Sequence, residues 1–173
     1  AKIFETINKR GIRLDAFDLM IAKIYPHDFK LRDKWDEAKR DRPLLAHYQV
    51  DRLDILRLIA LREYLKPSSD SSKRSSIKGI RQGDILELSA DAVKSSWEGA
   101  VNAVNKALEF MGSYCGVRFY SLLPSDTMMI PIADVLWEKK SVRADFQADL
   151  ARWFWATTFS QSYAQGANTQ AVR

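Results

Sequence analysis

Apolar residues recur at helical spacing along most of this chain, and polar, glycine- or proline-bearing points interrupt them. Ile3, Phe4 and Ile7 form a first stripe that stops where Asn8 and Gly11 appear, residue types that take a left-handed conformation at a helix end at little cost. Asp15 then stands at an N-cap position with Asp18 three residues on, and Phe17, Met20, Ile21 and Ile24 follow at helical spacing. Residues 50–65 carry Leu53, Leu56, Ala60 and Tyr64, with Ile55, Leu58, Ile59 and Leu61 beside them. So wide a face implies a helix buried on more than one side, leaving Arg52, Arg57, Arg62 and Glu63 on the remainder. Pro67 forces the chain out of helix soon after Lys66.

Past a short helical turn at 84–88, Ser89 is the expected N-cap of the longest helix. Val93, Trp97, Ala100, Val101, Val104, Leu108, Met111 and Cys115 stay in phase, and Gly112 and Gly116 mark the end. Residues 117–123 are short, aromatic and without a partner strand, so they read as an extended connection to Pro124. Ser125 or Asp126 is expected to cap a further helix to about residue 138, kinked or restarted at Pro131. A last helix is expected over about 141–163, through Val142, Phe146, Leu150, Trp153, Phe154 and Thr157. Trp153, Phe154 and Trp155 cannot share one face, since successive residues point about 100° apart, so one tryptophan packs elsewhere or stays partly exposed. The expected fold is all-α: about six or seven helices in an irregular bundle around one long central helix at 89–116. No run alternates as a strand should, and no internal repeat is visible.

Charge changes this picture locally. The net charge is +5 with a pI near 9.3, a mild pointer to an acidic partner. Over residues 30–42 the charges are mixed, with opposite signs three and four apart, as in Asp36 with Lys39 and Arg40. That describes a solvated helix face anchored by Trp35. The serine-rich stretch at 68–76 lies in an expected flexible basic loop at 66–83. There Lys66, Lys73, Arg74, Lys78 and Arg81 outnumber Asp70. Such a loop suits nucleic-acid phosphates through Lys73, Arg74, Lys78 and Arg81, without sequence reading; it also suits a plain solvated connection. The lone Cys115 excludes an internal disulfide, and its place on the apolar stripe makes it a small core residue. With His27 and His47 as the only histidines, no metal-ligand spacing is present. Met128 and Met129 read as core filling, and Asp134 as a buried acid without a visible partner. No apolar run reaches membrane-spanning length and no signal peptide is apparent, so a cytoplasmic setting without membrane contact is expected.

The opening stretch F-x-x-I-N-x-x-G-x-x-L, followed by a helix beginning D-A-F-D-L, resembles a signature of the GmrSD-type restriction proteins. These are prokaryotic, modification-dependent DNA-cleaving systems whose N-terminal domain is related to ParB and sulfiredoxin. Leu122-Leu-Pro-Ser-Asp-Thr-Met-Met-Ile-Pro-Ile132 is similar to a second stretch of that family. Arg152-Trp-Phe-Trp-Ala-Thr-Thr-Phe-Ser-Gln-Ser-Tyr163, with Gly166 and Asn168 behind it, is similar to a third. The resemblance implies that residues 1–25 end a ParB-like domain and residues 26–173 form a helical domain. It implies a nucleotide site lined by Asn8, Arg10, Gly11 and Arg13, and a further site at Ser160, Tyr163, Gly166 and Asn168. Read without it, residues 8–13 are an interhelical turn with free amides and arginines, and the C-terminal residues a helix end.

The D-G-Q-Q-R-type motif that the family ties to nucleotide hydrolysis is not in this sequence, nor is a His-Asn-His nuclease motif. The chain opens at Ala1 inside an expected helix, so an internal piece without catalytic residues of its own is expected. Its parent would be a nucleotide-dependent DNA endonuclease using a nucleoside triphosphate and Mg2+, with DNA, the ParB-like sheet and a nuclease module as partners. The competing expectation is a non-catalytic helical scaffold or interaction module.

Overall fold

A computed structural model describes residues 14–66, 77–139 and 143–160. Within them lie eight α-helices and no strand: α1 Ala16–Ile24, α2 Leu31–Asp41, α3 Pro43–His47, α4 Arg52–Leu65, α5 Gln82–Glu87, α6 Ala90–Tyr114, α7 Met129–Leu136 and α8 Ala144–Phe159. The all-α, multi-helix bundle expected from the periodicity is what the chain forms. Residues 1–13, 67–76, 140–142 and 161–173, with the first stripe and most of the serine-rich loop, lie outside the described residues.

Helix α6 is the centre. It starts where Ser89 Oγ accepts the Ala92 N–H at 3.1 Å, satisfying one of the amides a helix start leaves free. It runs 25 residues, roughly 37 Å at 1.5 Å per residue. That length lets it pack on α7, α4, α3 and α8 in turn. Its buried side chains, Val93, Trp97, Ala100, Val101, Ala103, Val104, Ala107, Leu108, Phe110 and Met111 among them, are all apolar. Gly116 ends the run in a left-handed conformation at φ 71°, letting the Val117 N–H turn back onto the Met111 carbonyl at 3.1 Å. Cys115 is buried there, and burial pushes its thiol up to about 11.

Helix α4 is buried on several sides, as its wide apolar face requires: Leu53, Ile55, Leu56, Leu58, Ile59 and Ala60 are all inside. Its partners α6, α7, α5 and α1 surround it. Met128 and Met129 are core residues, fully or almost fully buried.

Three local features depart from expectation. The charged helix stops at Asp41, and Pro43 starts a separate five-residue helix, α3, because proline fits a first helical position where its missing N–H costs nothing. Residues 117–123 are not simply extended but contain a 3-10 turn, Tyr120–Leu122. Neither Ser125 nor Asp126 caps a continuous helix. A 3-10 turn, Asp126–Met128, comes first, and α7 starts at Met129 so that Pro131 sits in its first turn without breaking a bond.

Candidate functional site

The start of α1 is the best-defined polar junction near the opening motif. Asp15 Oδ1 accepts the Asp18 N–H at 2.9 Å and Asp18 Oδ2 faces the Asp15 N–H at 3.4 Å, a reciprocal capping box. Arg52, the first residue of α4, reaches across to Asp15 Oδ2 at 2.5 Å and Asp18 Oδ2 at 3.7 Å, and its guanidinium lies over the Phe17 ring at 4.8 Å. Arg32 adds a looser contact to Asp18 at 3.6 Å. Burial works against the Asp15 carboxylate, but the Asp18 amide and the Arg52 guanidinium outweigh it and hold its pKa below the usual value. The chain is thus pinned two residues after Arg13. Asn8, Arg10, Gly11 and Arg13 themselves lie outside the described residues.

Of the basic loop, Lys78 and Arg81 are described and Lys73 and Arg74 are not. One carboxylate organises the described pair: Asp84 accepts the Lys78 N–H at 2.9 Å and the Arg81 N–H at 3.0 Å, closing a short turn before α5. Those bonds use main-chain amides only, and both residues are exposed. Helix α5 packs against α1, and Lys23 Nζ donates to the Leu86 carbonyl at 2.6 Å. The pinned end of the opening motif and the basic pair therefore lie on neighbouring elements.

The C-terminal candidates are not gathered with them. Ser160 is the C-cap of α8, its hydroxyl donating to the Thr157 carbonyl at 3.1 Å, while Tyr163, Gly166 and Asn168 lie outside the described residues. Within the last helix the three-aromatic run resolves as its geometry demands. Phe154 is buried, Trp153 is partly buried against the core, and Trp155 stays 39% exposed, stacked on the 79% exposed Phe159. His47 is a structural group, its Nε2 2.8 Å from the Arg118 carbonyl.

The acid expected to be buried is the wrong one. Asp134 is only part-buried and has partners: Arg62 spans it at 3.1 Å and Glu138 at 2.8 Å while covering the Trp137 ring at 4.5 Å. The buried acid is Asp54, 1% exposed, in the first turn of α4. Its Oδ1 pairs with Arg57, and its Oδ2 has no hydrogen-bond partner. Burial pushes this carboxyl up to about 6, opposed by Arg57 and assisted by Asp51 and Asp126. A hint was present in the sequence: an aspartate between Leu53 and Ile55 on a face apolar nearly all round.

Among the described residues no group of three or more His, Cys, Asp or Glu side chains is placed to hold a metal ion. No described helix is long and apolar enough to cross a membrane. No family model matches the chain, and no solved structure matches it. An uncharacterized protein of Methanocaldococcus jannaschii is 25% identical over 179 residues, covering 99% of this chain and 28% of the relative. The chain therefore spans little more than a quarter of the curated relative it matches.

Proposed function

We propose that this chain is the helical portion of a GmrSD-like, nucleotide-dependent DNA restriction protein of a prokaryotic defence system. In this reading it lines a nucleotide site and meets DNA or a nuclease module, while another part of the protein performs the chemistry. The ordered run of three motif-like stretches, from Phe4 to Asn168, carries the reading. Asn8 hydrogen-bonds the nucleotide, Arg10 and Arg13 pair with phosphate charge, and Gly11 permits close backbone approach. Two observations give physical support. The helix after the first motif opens at Ala16 behind a capping box clamped by Arg52, so the chain is held to the bundle at Asp15. The exposed Lys78 and Arg81 lie before the helix that packs beside it. A relative more than three times as long has ample chain for a ParB-like sheet and a nuclease.

A scaffold without a nucleotide or DNA role is the second reading. It is favoured by how many arginines are spent internally: Arg42 on Glu98 and Asn102, Arg52 on Asp15, Arg57 on Asp54, Arg62 on Asp134.

The deciding experiment measures nucleotide hydrolysis and DNA cleavage by the longer protein, comparing wild type with Asn8→Ala and Arg10→Ala and checking folding by thermal melting. Hydrolysis is expected to fall at least roughly tenfold at unchanged melting temperature, the scale of losing one charge-assisted contact. Wild-type hydrolysis and cleavage in both variants would leave the scaffold reading standing.

A further inference from the structure

Helix α8 carries more apolar side chains than the bundle covers. It buries Leu150 and Phe154, with Phe146, Ala151 and Trp153 part-buried against the core, and it packs chiefly on α6. At about 100° per residue, Ala144, Ala148, Trp155 and Phe159 project within roughly 60° of one another, well away from that seam. All four are exposed. Trp155 and Phe159 stack with ring centroids 5.6 Å and planes 23° apart, so the two rings form one ridge on the C-terminal half of the strip. The N-terminal half is alanine.

We propose that this strip is a self-association surface, on which α8 of a second copy of the chain packs antiparallel across a two-fold axis. A two-fold contact uses the same patch twice, so each half of the patch must fit the other half. The α8 strip meets that condition residue by residue. With the axis midway between Ala151 and Arg152, Ala144 stands against the second copy's Phe159 and Ala148 against its Trp155. Each aromatic ridge then faces a pair of alanines, which leave the room that two bulky rings need at a close helix contact. A parallel pair would set ridge on ridge and alanine on alanine, overfilling one end and leaving a gap at the other. Charge fits the same register. Arg152 and Asp149 form an exposed ion pair at 3.2 Å on the flank of the strip. The antiparallel pairing puts Arg152 opposite the second copy's Ala151, about 3 Å of helical rise from its Asp149. Each guanidinium thus has a carboxylate near it on both helices. Nothing in this contact depends on nucleotide or DNA.

A helix of 16 residues offers a contact roughly 24 Å long. That is a small interface, of the size that holds transient dimers, so association in the micromolar range is expected. Sedimentation equilibrium of the full chain from about 1 to 500 μM covers that range. The weight-average mass should climb from the 19.8 kDa of one chain toward twice that value. A mass that stays at 19.8 kDa throughout overturns the proposal, and this reading needs no variant. Exchanging small and large residues tests the register, with folding checked by melting temperature. Ala148→Trp sets tryptophan against tryptophan and should weaken association at least roughly tenfold. Trp155→Ala removes half of the ridge and should weaken it as well. Ala148→Trp combined with Trp155→Ala again faces one large residue with one small one, and should recover association to within about threefold of wild type. Tighter association in Ala148→Trp, the mark of a merely adhesive apolar surface, overturns the proposal. So does a double variant that associates no better than the single ones.

Discussion

At Gly99 two residue-level rules point in opposite directions, and a distance decides between them. Alanine in a helix interior is usually better than glycine by about 0.5–1 kcal/mol. A Cβ at this position would stand 2.6 Å from Cζ2 and 3.1 Å from Cε2 of Trp137. Those are atoms of a rigid ring rather than the tip of a flexible chain, and the Arg62 guanidinium covers the ring at 4.5 Å. Overpacking therefore wins, and Gly99→Ala is expected to destabilise the protein by about 1–3 kcal/mol in urea unfolding. Gly83 is the control: nothing lies within 4 Å of its would-be Cβ. Gly83→Ala should be neutral or stabilising by up to about 1 kcal/mol, through a less flexible unfolded chain. If both substitutions shift stability the same way, the close approach of Trp137 to α6 is not as described.

Whole helices obey the same accounting, at their ends above all. Asp15 caps α1 and also anchors it to α4 through Arg52, so Asp15→Ala removes a cap and an ion pair together. A cost of about 1–2 kcal/mol is expected, measured by thermal or urea unfolding, most of it from the cap since the pair is partly solvated. Because the folded Asp15 carboxyl is held below its ordinary value, its stabilisation is full above about pH 4 and disappears as pH falls through the lowered value. The wild-type and Asp15→Ala stabilities should therefore converge in acid. This end was legible in the sequence because a cap is local: Asp15, Asp18 and the apolar residues after them lie within ten positions. Ser89 was legible for the same reason, and Leu108 in the stripe behind it is fully buried, so Leu108→Ala should cost about 2–5 kcal/mol against little for the exposed Lys94→Ala. Helix α3 was not, since five residues give too little periodicity to separate from a turn. Asp54 and Asp134 both sit among apolar neighbours in sequence, so the local pattern does not separate them. Only the assembled bundle decides that Arg62 reaches one of them while the other is closed in on every side.

For the molecule as a whole, a long α6 with shorter helices around it followed from the length of its stripe. The candidate sites followed less well, because most of their residues lie outside the described bundle and what remains is Ser160 at the end of α8 and two exposed cations before α5. Those two cations make the surface testable. Among the described residues Asp84 bonds the main-chain amides of Lys78 and Arg81, so glutamine at both positions keeps the turn while removing two charges. Folding stability should stay within about 0.5 kcal/mol of wild type, as for surface changes away from packed features. DNA affinity responds differently if both cations neutralise phosphates. Each contact contributes about 0.9 to the slope of log affinity against log salt on duplex DNA, so Lys78→Gln with Arg81→Gln should flatten that slope by about 2 and weaken binding uniformly across sequences. Measurement at several salt concentrations is essential, because a single affinity mixes this electrostatic effect with everything else. An unchanged slope at unchanged stability would make the pair a solvated connection, and the bundle would then owe any DNA contact to another surface. A loss confined to one sequence would be equally informative, since phosphate contacts carry no base information and such a loss requires a side chain that reaches a base edge.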